Sequence, residues 1–222
     1  MSTTSSSTPN IDFTALPAYA KERWPIAQAR AQRKTSEAQE SAAAKRLLRA
    51  AQRASSTTQR VIWLHRAASA WSDALSAVAA CRHGCSHCCN TPVTITRVEA
   101  EILGKASGRQ PLVARHPMIF RGLEHLEELM RAQAERHKDF VAPSPCPFLK
   151  DGRCSVYEAR PLACRTLLNL DDDDLLCRLV PGMEIPVPYA NAGQFKVLHL
   201  LAQPNAELAD IRDFFPAPTE NA

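Results

Sequence analysis

All eight cysteines of this chain fall between Cys81 and Cys177, and four of them, Cys81, Cys85, Cys88 and Cys89, stand in the stretch CRHGCSHCC. Cys146, Cys154, Cys164 and Cys177 follow, while the first 80 residues contain none. Sulfurs used only as small apolar core groups would be spread along the chain, so the crowding calls for a chemical cause. Thiolates held close together repel, and a bound cation is the simplest thing that makes such a gathering favourable. Closely spaced cysteines let one turn present several sulfurs to an ion, and distant ones complete the shell and staple a loop to its neighbours. The chain must therefore fold so that the stretch from Cys81 to Cys89 meets the later cysteines.

Disulfides would suit an even count, but the setting argues against them. The opening MSTTSSSTPN has no basic stretch leading into an apolar run, so it does not read as a secretory leader. No apolar run approaches the ~20 residues that a membrane span needs. The expectation is a cytoplasmic protein, and there thiols are kept reduced. Cys85 and Cys88 have the spacing of a redox dithiol without the strand-helix-strand context of a thioredoxin-like fold. The C-x3-C-x2-C spacing of Cys81, Cys85 and Cys88 also occurs in radical S-adenosylmethionine enzymes, where it follows the first strand of a barrel. Here a long helical pattern precedes it.

With 222 residues, 45% of them hydrophobic, the chain can bury one substantial core. Net charge is +4 and pI about 8.7, a mild excess that makes nucleic acid a poor candidate partner. The charge is uneven, however: eleven basic side chains against five acidic ones precede Cys81. Basic helices of this kind are suited to a protein partner, although solvated helix faces carry such charge routinely.

The chain divides by composition. Residues 1–17 read as a disordered tail, 18–80 as a basic helical region, 81–180 as the cysteine domain, and 181–222 as a C-terminal helical extension. From Ala18 to Ala54 the residues favour helix, broken or restarted near Pro25, with Thr35 or Ser36 able to cap a new start. Val61, Leu64, Ala68, Trp71, Leu75 and Val78 form one stripe of a helix over 58–80, which would deliver Cys81 at its end, with Gly84 free to turn the chain back. Thr96 and Glu99 have capping-box spacing, and Gly104 or Gly108 suits the following helix end. A further helix is expected over 117–137 with Ile119, Leu123, Leu126 and Met130 on one face. Asp151-Gly152 marks a hairpin turn carrying Cys146 and Cys154 on its arms. Helices are expected over 194–202 and 206–215. The fold class is mainly α: a helical domain with an irregular, metal-stapled cysteine-rich lobe and at most a short hairpin.

CRHGCSHCC, then PVTITRVEAEIL, CPFLKDGRCSVYEARPLACR and the later Cys177 together resemble the YkgJ family of cysteine-cluster proteins, described as zinc- or iron-chelating domains. The likeness covers about Cys81 to Val180. That family usually opens with C-x2-C-x2-CC, and this chain has one more residue between Cys81 and Cys85. The resemblance implies bound zinc, iron or an iron-sulfur cluster such as 4Fe-4S, and no particular reaction. Bacterial flagellin lysine methylases carry a similar cysteine region, yet no glycine-rich methyl-donor turn is present here.

The expected metal ligands are Cys81, Cys85, Cys88, Cys89, Cys146, Cys154, Cys164 and Cys177. Adjacent Cys88 and Cys89 cannot easily face one small ion, so they serve two sites or one stands apart as a reactive thiol. Two zinc ions with four sulfurs each, or one four-iron cluster with spare thiols, both fit the count. Arg160 and Arg165 flank Cys164 and would offset thiolate charge from a second layer. Tyr157 reads as a packing residue, Glu158 as a partner for either arginine, and His83 and His87 as optional ligands. Dispersed His65, His116, His125, His137 and His199 read as ordinary helix or surface residues. The acids Asp171 to Asp174 read as favouring the start of a helix that reaches Cys177. Two function classes follow: a non-enzymatic metal-binding module with a protein partner, or an iron-sulfur enzyme or electron carrier.

Overall fold

The computed structural model describes residues 13–82, 84–138 and 144–217. Most of the expected tail, His83 and the side chain of His137 lie outside the described residues. Helix α1 (Ala18–Glu37) runs unbroken through Pro25, and α2 (Ala42–Arg53) begins at Ser41, whose side chain accepts from the Ala44 amide. Thr35 and Ser36 therefore end a helix instead of starting one. Proline costs α1 one internal hydrogen bond, but its buried Ala20 and Ala27 and its ion pairs across the molecule hold it straight.

α3 (Thr57–Leu75), capped by Ser56, packs against α2 in an antiparallel pair and buries Val61, Leu64, Ala68 and Leu75 as the stripe requires. It stops five residues short of Ala80; the chain then turns through Ser76–Val78. Strand β1 (Thr94–Thr96) leads into α4 (Arg97–Ser107), where Thr96 and Glu99 form the capping box and Gly108 closes the helix at φ 71°.

The helix expected over 117–137 is shorter. β2 (Met118–Ile119) and a single 3-10 turn (Leu123–His125) precede α5 (Leu126–Lys138). Its supposed inner stripe is largely outside: Ile119, Leu123 and Met130 are exposed, whereas Leu129 is buried. The hairpin is β3 (Leu149–Lys150) with β4 (Arg153–Cys154), turning through Asp151 at φ 49° and Gly152 at φ 71°, the left-handed pair that a tight two-residue turn demands. α6 (Leu162–Thr166) and α7 (Gly193–Leu201) follow.

The largest departure from expectation is at the C-terminal end. Instead of a helix over 206–215 the chain forms β5 (Glu207–Asp210) and then a single turn, α8 (Ile211–Phe214). β5 is the centre of a three-stranded antiparallel sheet, pairing Ala209 with Ile95 and Leu208 with Met118. Ile95, Leu103, Phe148, Ile211, Phe214 and Phe215 build the core between this sheet, α4 and the hairpin. A second core gathers Ala67, Ala68, Leu162 and Phe195 between α3, α6 and α7, and a third gathers Leu75, Ala79, Leu168, Leu170 and Ala190. The mainly α class holds, with these small sheets added. Among the described residues, no helix is long and apolar enough to cross a membrane.

Candidate metal centre

After α3 the amide of Ala80 donates to the Asn169 carbonyl at 2.8 Å, which pins the entry of Cys81. Gly84, at φ 90°, reverses the chain so that Cys85 follows, and a 3-10 turn over His87–Asn90 presents Cys88 and Cys89 side by side. Cys146 precedes the hairpin, Cys154 ends β4, Cys164 sits in α6, and Cys177 ends a 3-10 turn over Leu175–Cys177. All eight are free thiols, Cys85 exposed and the rest partly buried. Seven of them, Cys177 being the exception, line a cavity of about 970 Å³ together with Glu99, Tyr189 and His199.

The sulfurs fall into two neighbourhoods. Cys81 packs on the core of Leu75, Leu168 and Leu170, and Asn169 joins it to Cys177, its amide donating to Cys81 Sγ at 3.4 Å and its Nδ2 to Cys177 Sγ at 3.3 Å. Burial and the adjoining sulfurs of Cys81 and Cys85 push the Cys177 thiol up to about 12. Tyr189, although 42% exposed, has its phenol pushed up by desolvation and by Cys177, Cys88, Cys81 and Cys85.

Cys146, Cys154 and Cys164 pack instead on the core of Phe148 and Ile95, and the Cys146 amide donates to the Cys89 carbonyl at 2.7 Å. Burial raises Cys146 to about 11, with Cys89 and Cys154 adding to it, and raises Cys164 further, with Cys146, Cys89 and Cys154 as its charged neighbours. The two neighbourhoods touch at Cys88 and Cys89. A hydrogen bond between them raises Cys88 and lowers Cys89 to about 7, with Arg160 and Arg212 helping the latter ionise.

A group of buried thiols whose mutual repulsion and burial oppose ionisation is what a cation would relieve, so this donor set fits a thiophilic metal. Among the described residues no three sulfurs lie within 4.8 Å of one another.

Arg160 stacks on Tyr157 at 3.5 Å from the ring centre and favours ionisation of Cys81, Cys89, Cys154 and Cys164. Arg165 is buried and turned to backbone and hydroxyl oxygens: it donates to the Arg160 carbonyl at 2.6 Å, to Ser69 Oγ and to the Glu158 carbonyl. It shapes the loop before Cys164. His87 is engaged by Asp174 at 2.8 Å.

The acidic run behaves unlike the expected helix start. Asp171 is fully buried and paired with Arg23 and Arg30, Asp172 pairs with Arg30 and Lys34, and Asp173 with Arg23. These ion pairs lash α1 to the Cys177 segment. Composition could not reveal them, because the partners lie about 140 residues apart. Asn169 was equally hidden as one polar residue in LLNL. His65 and His199, taken as ordinary, are buried and meet on Glu99; a polar residue inside the apolar runs VIWLH and VLHLL was the available signal.

Residues 80–178, under half of the chain, match the CxxCxxCC family, described as a "putative zinc- or iron-chelating domain". Comparison with curated proteins and with solved structures gives no match. The lobe spanning residues 80–178, which carries all eight thiols, is thus similar to the CxxCxxCC cysteine-cluster family.

Proposed function

We propose that the protein chelates two metal ions, one through Cys81, Cys85, Cys88 and Cys177 and the other through Cys89, Cys146, Cys154 and Cys164. The packing of Cys81 on one core and of Cys146, Cys154 and Cys164 on another supports this reading most directly, with Asn169 bonded to both Cys81 and Cys177 on one side and the Cys146 amide donating to the Cys89 carbonyl on the other. It also gives adjacent Cys88 and Cys89 separate duties, as one small ion could not take both at ease. Zinc suits four thiolates in a closed shell, and a bound ion would offset their charge and draw the hairpin, α6 and the 3-10 turns together. Such sites contribute on the order of 10 kcal/mol to folding.

The role is that of a structural metal module in a reducing compartment. An acidic protein partner finds a recess on α2 and α3 where Arg46, Arg49 and Arg53 surround Trp63. The test is metal and acid-labile sulfide content of protein purified without oxygen. About two thiolate-bound zinc ions per chain and a colourless solution are expected, with Cys164→Ser and Cys177→Ser each losing a different one. Iron with sulfide and a visible absorption band would replace this reading with an iron-sulfur carrier.

A further inference from the structure

Three helices bring together three side chains of metal-ligating type, none of them a thiol. His65 of α3, Glu99 of α4 and His199 of α7 are all buried. His65 Nε2 lies 2.9 Å and His199 Nε2 3.3 Å from the same oxygen, Glu99 Oε1. The two rings stack at 5.9 Å between centres, and the three ligand atoms all lie within 4.8 Å of one another. Glu99 and His199 face the large cavity.

Helix capping explains only half of Glu99. Its Oε2 accepts from the Thr96 amide at 3.0 Å to complete the capping box, while Oε1 is turned to the imidazoles and steadied by the Leu162 amide at 2.7 Å. Two backbone donors thus hold the carboxylate in one orientation, as outer groups do around a metal ligand. Two imidazoles and one carboxylate are a donor set shared by zinc and ferrous iron.

A second observation lies beside the trio. Gln203, 2% exposed, places its Nε2 3.1 Å from His199 Nε2, and its Oε1 is buried with no hydrogen-bond partner. Gln203 Nε2 also donates to the His199 carbonyl at 2.9 Å, which fixes the side chain against the His199 ring, and a buried amide oxygen left unmatched is seldom seen.

We infer that His65 Nε2, His199 Nε2 and Glu99 Oε1 form a site for a divalent transition-metal ion, zinc or ferrous iron, distinct from the thiols and open toward the cavity. The site does not depend on the thiolate reading. The test uses the full chain loaded with zinc, and in parallel with cobalt(II), as wild type, His65→Gln and His199→Gln. Each variant should lose the same single equivalent of zinc, while cobalt-thiolate charge-transfer absorption stays at the wild-type level. In the wild type, the ring-nitrogen NMR signals of both histidines should shift when zinc is added to chelator-treated protein. If both variants keep the full metal content, or if the ring signals do not move on adding zinc, the trio is a proton-sharing cluster and the site is overturned. The ring-nitrogen measurement decides the matter even where a variant does not fold. Absent cobalt-thiolate absorption with a histidine-dependent equivalent retained would sink the cysteine reading alone.

Discussion

Single side chains set the walls of the cavity. Arg165 is 7% exposed and makes hydrogen bonds to Ser69 Oγ and to the carbonyls of Glu158 and Arg160, so it joins α3 to the loop that carries Cys164. Arg165→Met removes the donors and leaves those acceptors unpaired, at a cost of about 3 kcal/mol. Urea denaturation should show that loss, and, on the proposed ligand assignment, zinc should dissociate faster. Gly104 acts through space, not charge: a Cβ there would lie 2.7 Å from the Arg109 carbonyl and 2.9 Å from Pro111 Cδ. Gly104→Ala should therefore destabilise by about 1–3 kcal/mol, a loss visible in thermal melting although alanine is the better helix former.

At the scale of the element, α1 is held by charge. Asp171, with no exposed surface, takes two bonds from Arg23 at 2.7 and 3.1 Å, and Lys34 donates to the carbonyls of Leu170 and Asp171 at 2.9 Å. Asp171→Asn leaves Arg23 and Arg30 without their buried counter-charge and should cost about 3 kcal/mol, read as faster amide exchange across α1. The pH dependence has a definite sign. Hydrogen bonding and charge from Lys34, aided by Arg30 and Arg23, hold Asp172 below its ordinary value. Its contribution is complete above the ordinary carboxylate pKa and is lost as pH falls through the depressed one, so α1 exchange should rise between pH ~5 and ~3. If exchange in α1 is flat over that range, the latch is not electrostatic.

The whole molecule is more than its family segment. β5 is the central strand between β1 and β2, α7 packs on α3, and α1 is tied to the acidic run. A fragment of residues 80–178 lacks all three partners. It should show poor NMR dispersion and no cooperative melting without metal, whereas the full chain melts as one unit; a cooperatively folded fragment would show that the flanking regions only decorate the lobe.

What was legible from the sequence was local. Capping of α4 by Thr96 and Glu99, the Asp151-Gly152 turn, the stripe of α3 and the cysteine spacing depend on residues a few positions apart, whose chemistry acts wherever the chain goes. The sequence by itself determined a mainly α chain with a thiol-rich lobe. Tertiary structure decided the rest. Glu207–Asp210 reads as readily as helix, and becomes a strand because β1 and β2 offer it two edges. The meeting of Asp171 with Arg23, of His65 with His199 over Glu99, and the packing of Cys81 on one core and of Cys146, Cys154 and Cys164 on another depend on contacts between segments far apart in the chain, for which no spacing rule exists.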